Sequence, residues 1–312
     1  MPEADRARTS RAARKQPDRV AGASGAPEET AALVHLPVPE RHDTPWSVDP
    51  SRVGDVDEWG RSENMRALAR KLYAPLYEKW FRVEWEGLEK IPTEGGALIV
   101  ANHAAAIPSD APAIMHGIET ELERPVYGLA DQYFKRLPVV GTMWSRTGGV
   151  VAHPDNAYRL LREQNQLVLV FPEGSKGPGK NYKERYQLRR FGRGGFVEIA
   201  MRAGVPVVPI AVVGAEEAMP ILFNIPGLAR VFNAPYAPVT LNQLLLGPVL
   251  GLVTYLPAKF KLRVLPPVHF EVPPDRPRYS KSRIMDEAEA IRQQIQEALY
   301  DMLRQRQSVW FG

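Results

Sequence analysis

Short runs of continuous apolar residues alternate with stretches of helical spacing from Pro92 onward. The runs are Ala97–Ala101, Val126–Ala130, Gly149–Ala152, Leu167–Phe171 and Val207–Val213, and helical patterns such as Asn156–Gln164 and Phe196–Ala203 lie between them. Buried strands alternating with helices predict an α/β fold, a mixed and mostly parallel sheet flanked by helices. Upstream, Met65, Leu68, Ala69, Leu72, Tyr73, Leu76, Tyr77 and Trp80 follow i, i+3, i+4 spacing, which predicts an amphipathic N-terminal helix. Ser62 is placed to cap it, and Pro75 to break it near its end. Its other face carries Arg66, Arg70, Lys71 and Lys79. Two roles fit that pattern equally, packing on the core or lying in a membrane interface.

The same reading organises both ends of the chain. Residues 1–30 show no apolar period and read as a disordered tail, and 31–60 as an extended, proline-pinned segment that wraps the domain, with the domain itself expected over 61–312. Val231–Ala258 holds no charge, yet Pro235, Pro238, Pro248 and Pro257 argue against a spanning helix there. The apolar stretch Leu244–Leu246, Val249–Leu250 and Leu252–Val253 fits a segment that dips into a bilayer surface or caps an acyl-chain tunnel. Lys259–Val264 reads as a half-exposed strand. Ser280–Arg304 reads as a docking helix with Ile284, Ala288, Ile291, Ile295, Leu299 and Leu303 on one stripe.

Composition narrows the class. The chain has 312 residues and a formal net charge of +4, with 44% hydrophobic and 24% charged residues, which are ordinary globular values. It has no cysteine, which removes disulfides, thiolate catalysis and sulfur-ligated metals. The 29 prolines are about twice the usual share and imply many interrupted elements. There is no run long enough to span a bilayer and no apolar leader, so the expected setting is the cytoplasmic side of a membrane, peripheral or monotopic.

Candidate chemistry sits after two of the apolar runs. His103 follows Ala97–Ala101, and Asp110 lies seven residues on, where Pro108 and Ser109 open the next helix. A carboxylate on one imidazole nitrogen would fix the tautomer and leave the other to take a proton. Phe171-Pro172-Glu173-Gly174-Ser175-Lys176 follows the run at Leu167, putting a carboxylate on a tight turn. From Lys176 to Arg193 come seven cations and one acid, Glu184, interleaved with glycines. A flexible basic loop beside a cleft suits a phosphate-bearing ligand or anionic headgroups. A simple solvated turn is the plainer alternative. There is no Gly-Lys-Ser/Thr phosphate loop, no GxSxG elbow and no histidine pairing that calls for a metal, and the small net charge argues against nucleic acid.

Asn102-His103…Asp110, then Gly148-Gly149-Val150-Val151, Phe171-Pro172-Glu173-Gly174 and Val205-Pro206-Val207-Val208-Pro209 resemble, in order, the four motifs of the glycerolipid (PlsC-like) acyltransferases, a family within the lysophospholipid acyltransferase superfamily. The resemblance covers roughly residues 65–270. It implies O-acyl transfer, 1-acylglycerol-3-phosphate acyltransferase-like, from acyl-CoA or acyl-carrier protein to the hydroxyl of a glycerolipid or lysophospholipid. No cofactor or metal is needed beyond that co-substrate. In that reading His103 is the general base, Asp110 orients it, and Glu173, Gly174, Ser175, Lys176 and Arg193 contact substrate. The sequence departs from the family in three places. The spacing is His-x6-Asp rather than His-x4-Asp, with Asp131 as an alternative carboxylate. Ala152-His153-Pro154 stands where an arginine usually ends the second motif, and Lys176 replaces an arginine in the third. The last two open the acceptor to neutral or differently headed lipids. The competing readings are a hydrolase with the same dyad and a lipid-binding protein that has lost catalysis.

Overall fold

The computed structural model describes residues 54–132, 139–231, 234–276 and 279–312. The expectations for residues 1–53 lie outside them. Helix α1 (Glu63–Pro75) starts at Ser62, whose hydroxyl accepts from Met65 N, as expected of an N-cap. Pro75 has no N–H to continue the ladder, and one π-helical turn, Leu76–Trp80, follows it. Strands β1 (Glu84–Glu86) and β2 (Ala97–Ala101), helix α2 (Asp110–Glu121), β3 (Val126–Ala130), α3 (Val140–Arg146) and β4 (Gly149–Val151) come next. Then come α4 (Pro154–Tyr158), β5 (Leu167–Val170), α5 (Gly195–Ala203), β6 (Val207–Val213) and α6 (Ala215–Ala218). An excursion of β7 (Ile221–Asn224), α7 (Pro226–Val231), β8 (Pro238–Thr240), α8 (Leu241–Leu246) and α9 (Leu250–Val253) precedes β9 (Lys261–Val264) and the long α10 (Lys281–Gln305).

Seven strands form one sheet in the order β1-β9-β6-β2-β5-β3-β4. Every pair is parallel except β6–β9. β7 and β8 make a separate antiparallel hairpin. Alternation along β2 divides the core: Leu98 and Val100 face α5 and α10, while Ala97, Ile99 and Ala101 face α2. All five are buried, so the run has no solvent face and reads as continuous apolar sequence rather than alternation. Each large aliphatic sealed this way contributes about 1.5–3 kcal/mol of burial.

Two expectations change. The stripe on α1 divides along its length. Tyr73, Leu76 and Tyr77 pack on the core as expected, but Leu72 is 71% exposed and Leu68 faces out with it. Arg66, expected on the outer face, is buried and paired with Glu119 of α2. The structured chain also begins before residue 61. Tyr127 donates to Asp57 (2.6 Å), and the Trp59 indole donates to Gln164 (2.7 Å). Among the described residues no helix is long and apolar enough to cross a membrane.

Candidate active site

β2 and β5 are adjacent and parallel, paired from Ala97↔Leu167 to Val100↔Val170. Carrying that register past both strand ends brings His103 level with Glu173. The backbone closes the match, since His103 N donates to Glu173 Oε1 at 3.1 Å. Site residues at the carboxyl ends of neighbouring parallel strands are what this architecture favours. Asn102 ends β2 by continuing its ladder with a side chain: its amide accepts from Val212 N (2.8 Å) and donates to Val212 O (3.0 Å). That fully buried amide holds the strand end to β6 while the chain turns away at His103.

The six residues between His103 and Asp110 fold back so that the two meet. Ala105 adopts a left-handed φ of 72° in that turn. His103 Nδ1 lies 2.9 Å from Asp110 Oδ2, which also accepts from Ala104 N at 2.7 Å, while Oδ1 accepts from Ala111 N at 2.7 Å. A carboxylate that only accepts places the imidazole proton on Nδ1 and leaves the Nε2 lone pair for chemistry. Phe171 stacks on the ring, with centroids 3.9 Å apart and planes 16° from parallel, and sets its orientation. Asp110 is fully buried and the His103 side chain is 15% exposed, so the pair opens to its surroundings only through the imidazole.

The third motif separates into two parts. Glu173 turns inward: besides His103 N, its carboxylate accepts from Arg189 N (2.8 Å) and lies 3.4 Å from Lys180 Nζ. Gly174, Ser175 and Lys176 form an exposed 3₁₀ turn, and Arg193 is also exposed. Gly177 returns the chain against His103, where a Cβ would sit 2.8 Å from His103 O. His153, at the end of the second motif, caps α4 by accepting from Asp155 N.

Lys180 and Glu216 escaped the sequence reading. Lys180 Nζ bridges Glu173 and Glu216 (3.2 Å), and all three side chains are shut away from water. Glu216 accepts from Tyr186 N at 3.0 Å. Tyr186 OH accepts from Gly214 N and bonds Glu217, which Arg306 pairs at 2.8 Å. A buried polar chain therefore runs from His103 to the end of α10. Burial pushes the Glu216 carboxyl up to about 7 against the pull of Lys180. Only the basic character of the loop was legible; its one buried lysine carried no mark that set it apart.

Residues 82–213 match the family described as Acyltransferase, a span that includes His103, Asp110 and Glu173. An uncharacterized protein of Mycobacterium tuberculosis is 39% identical over 267 residues, covering 82% of this chain and 72% of that one. The protein of Bos taurus named as a DGAT1/2-independent enzyme synthesizing storage lipids is 28% identical over 185 residues, 57% of this chain and 54% of that one. Among solved structures, the 1-acyl-sn-glycerophosphate acyltransferase PlsC from Thermotoga maritima aligns with a TM-score of 0.46 and 21% identity, covering 78% of this chain and 84% of that one. The chain belongs to the acyltransferase family.

Proposed function

We propose that the protein is a membrane-associated O-acyltransferase that moves a fatty acyl group from an acyl thioester, acyl-CoA or acyl-carrier protein, to the hydroxyl of a glycerolipid or lysophospholipid. The observation that carries this reading is the buried Asp110 carboxylate 2.9 Å from Nδ1 of a partly open His103. The acceptor hydroxyl gives its proton to His103 Nε2 as its oxygen attacks the thioester carbonyl carbon. The C–S bond then breaks, the ester forms, and the leaving thiolate takes back the proton held on His103 Nε2, restoring the neutral imidazole. Asp110 holds the ring and stabilises the imidazolium that forms in between. Glu173 acts one step back, fixing the His103 backbone, while Gly174, Ser175, Lys176 and Arg193 offer donors and positive charge to the polar part of a substrate.

Ala152-His153-Pro154 stands where the second motif's arginine would end it, and its His153 is used as a helix cap. That supports acceptance of neutral lipid hydroxyls, as does the storage-lipid synthesis in the name of the bovine relative. The test is transfer from radiolabelled acyl-CoA and from acyl-carrier protein to lysophosphatidate, lysophospholipids, monoacylglycerol and diacylglycerol. Wild type forms labelled lipid, and His103→Ala and Asp110→Asn lose about 10²–10⁴-fold in kcat with their fold retained. Free fatty acid in place of labelled lipid would make the protein a hydrolase. An unchanged rate in His103→Ala would remove the histidine from the chemistry, and no turnover with either donor would leave a binding protein.

A further inference from the structure

The excursion between β6 and β9 lies beyond the part of the chain that matches the family, and its chemistry is unlike the rest of the molecule. Between Glu217 and Lys259 there is no acidic residue and a single charge, Arg230. Half of the exposed large apolar side chains among the described residues lie between Leu222 and Val253. Val231 is 79% exposed, Val249 78%, Leu244 65%, and Leu245 and Val253 63% each. Monomers in water rarely leave this much apolar surface uncovered.

The segment is built rather than loose. Thr240 and Gln243 form a capping box at the start of α8. Asn242 Nδ2 donates to Ala218 O (3.1 Å) and Thr254 O (2.8 Å), tying both ends of the α8–α9 pair to the body. α9 crosses α8 at Gly251, where a Cβ would fall 2.3 Å from Asn242 O. The capping box and the Asn242 amide N–H groups thus face inward while leucines and valines point outward, the orientation a segment entering hydrocarbon requires. The rim is basic. Trp80, half-exposed and suited to a membrane interface, donates its indole N–H to Tyr255 O (3.0 Å), and Arg82 donates to Pro257 O (2.8 Å). Exposed Lys79 adjoins Trp80. On the other side Asn224 donates to Gly179 O (2.9 Å), next to the turn that carries Lys176.

The excursion also roofs the dyad's loop. Tyr236 OH donates to Ala106 O (3.0 Å), Tyr255 OH donates to Ile107 O (3.3 Å), and Met219 and Ile221 pack on Ala105 and Ala106. We propose that β7–α9 is the face by which the protein seats on an anionic phospholipid bilayer, with the His103 opening at its edge. Apolar side chains with no acid among them and cations beside them match such a surface and not a typical protein partner. The seating stands on the surface alone. That it delivers acceptor lipid to His103 rests on the proposed acyltransferase reaction.

The experiment is flotation of the full chain with vesicles of phosphatidylcholine, with and without phosphatidylglycerol, read as a partition coefficient and independent of turnover. Wild type floats, and does so more with phosphatidylglycerol. Leu245→Glu/Val249→Glu lowers the partition coefficient by about 10²-fold with an unchanged melting curve. Met285→Glu, an exposed site on α10, leaves it unchanged. A wild type that stays in the soluble fraction with both vesicles would overturn the proposal, as would a double variant that floats like wild type. A concentration-dependent dimer in light scattering, lost in the double variant and without flotation, would assign the face to a second copy instead. Flotation without acyl transfer keeps this proposal and removes the reaction.

Discussion

At the scale of single residues, the dyad shows how neighbours in sequence become neighbours in chemistry. Asp110 was legible because a helix start nine residues after the end of β2, and seven after His103, leaves room for little besides a turn. The inward role of Glu173 was not legible, because it depends on the β2–β5 register and on Lys180, neither of which leaves a local trace. Glu216 is the sharpest case, a carboxylate buried with one lysine shared between two acids. Its pKa is raised to about 7 from 4.5, so between those values the folded protein holds a proton that the unfolded chain has released. Stability contributed by this site is therefore full below about pH 4.5 and declines as pH rises to 7. Glu216→Gln removes the titration and keeps the volume. Urea unfolding at pH 5 and pH 8 is expected to show wild type losing about 2–3 kcal/mol relative to the variant. Parallel pH profiles for the two proteins would mean that Glu216 is ionised throughout.

Whole elements were the most legible part, because buried strands and the C-terminal helix leave long uninterrupted patterns. β2, β3 and β6 fall on their predicted bounds. α10 buries Ile284, Ala288, Ile291, Ile295 and Leu299 as its stripe requires, with the expected Leu303 partly buried beside them. α1 misleads for a reason visible only in its partner. Glu119 of α2 lies buried beside it and draws Arg61 and Arg66 inward, with Arg70 at 3.5 Å, which rotates Leu68 and Leu72 to the surface. Periodicity weighs hydrophobicity alone, whereas a buried carboxylate left without cations costs more than exposing two leucines. Glu119→Gln strands the buried Arg66 and leaves Arg61 with Glu63 alone, and is expected to cost about 3–5 kcal/mol. Leu72→Ala, central to the predicted stripe, is expected to change stability by no more than about 0.5 kcal/mol. Denaturant midpoints for the pair decide it, and the reverse order would restore the leucine-inward helix.

At the scale of the molecule, charge and apolar surface are arranged separately, and that separation has a consequence in salt. The net charge is only +4, too small for the whole protein to be held at an anionic membrane by its overall field. Long-range attraction therefore falls to the cations placed beside the excursion, Lys79, Arg82 and Arg230 foremost, each worth about 1 kcal/mol near a charged surface at low ionic strength. The leucines and valines of α8 and α9 contribute a term that salt does not screen. Raising ionic strength from 0.1 to 1 M shortens the screening length from about 10 to about 3 Å. Binding to phosphatidylglycerol vesicles is then expected to fall by about 10²-fold and to level off at the value for neutral vesicles instead of vanishing. A salt titration of vesicle partitioning measures both terms in one curve. A decline toward zero would make the attachment electrostatic, with the apolar face covered by something other than lipid. A flat curve would mean that the basic rim never meets the headgroups, and that the excursion enters the bilayer with its cations held clear of the surface.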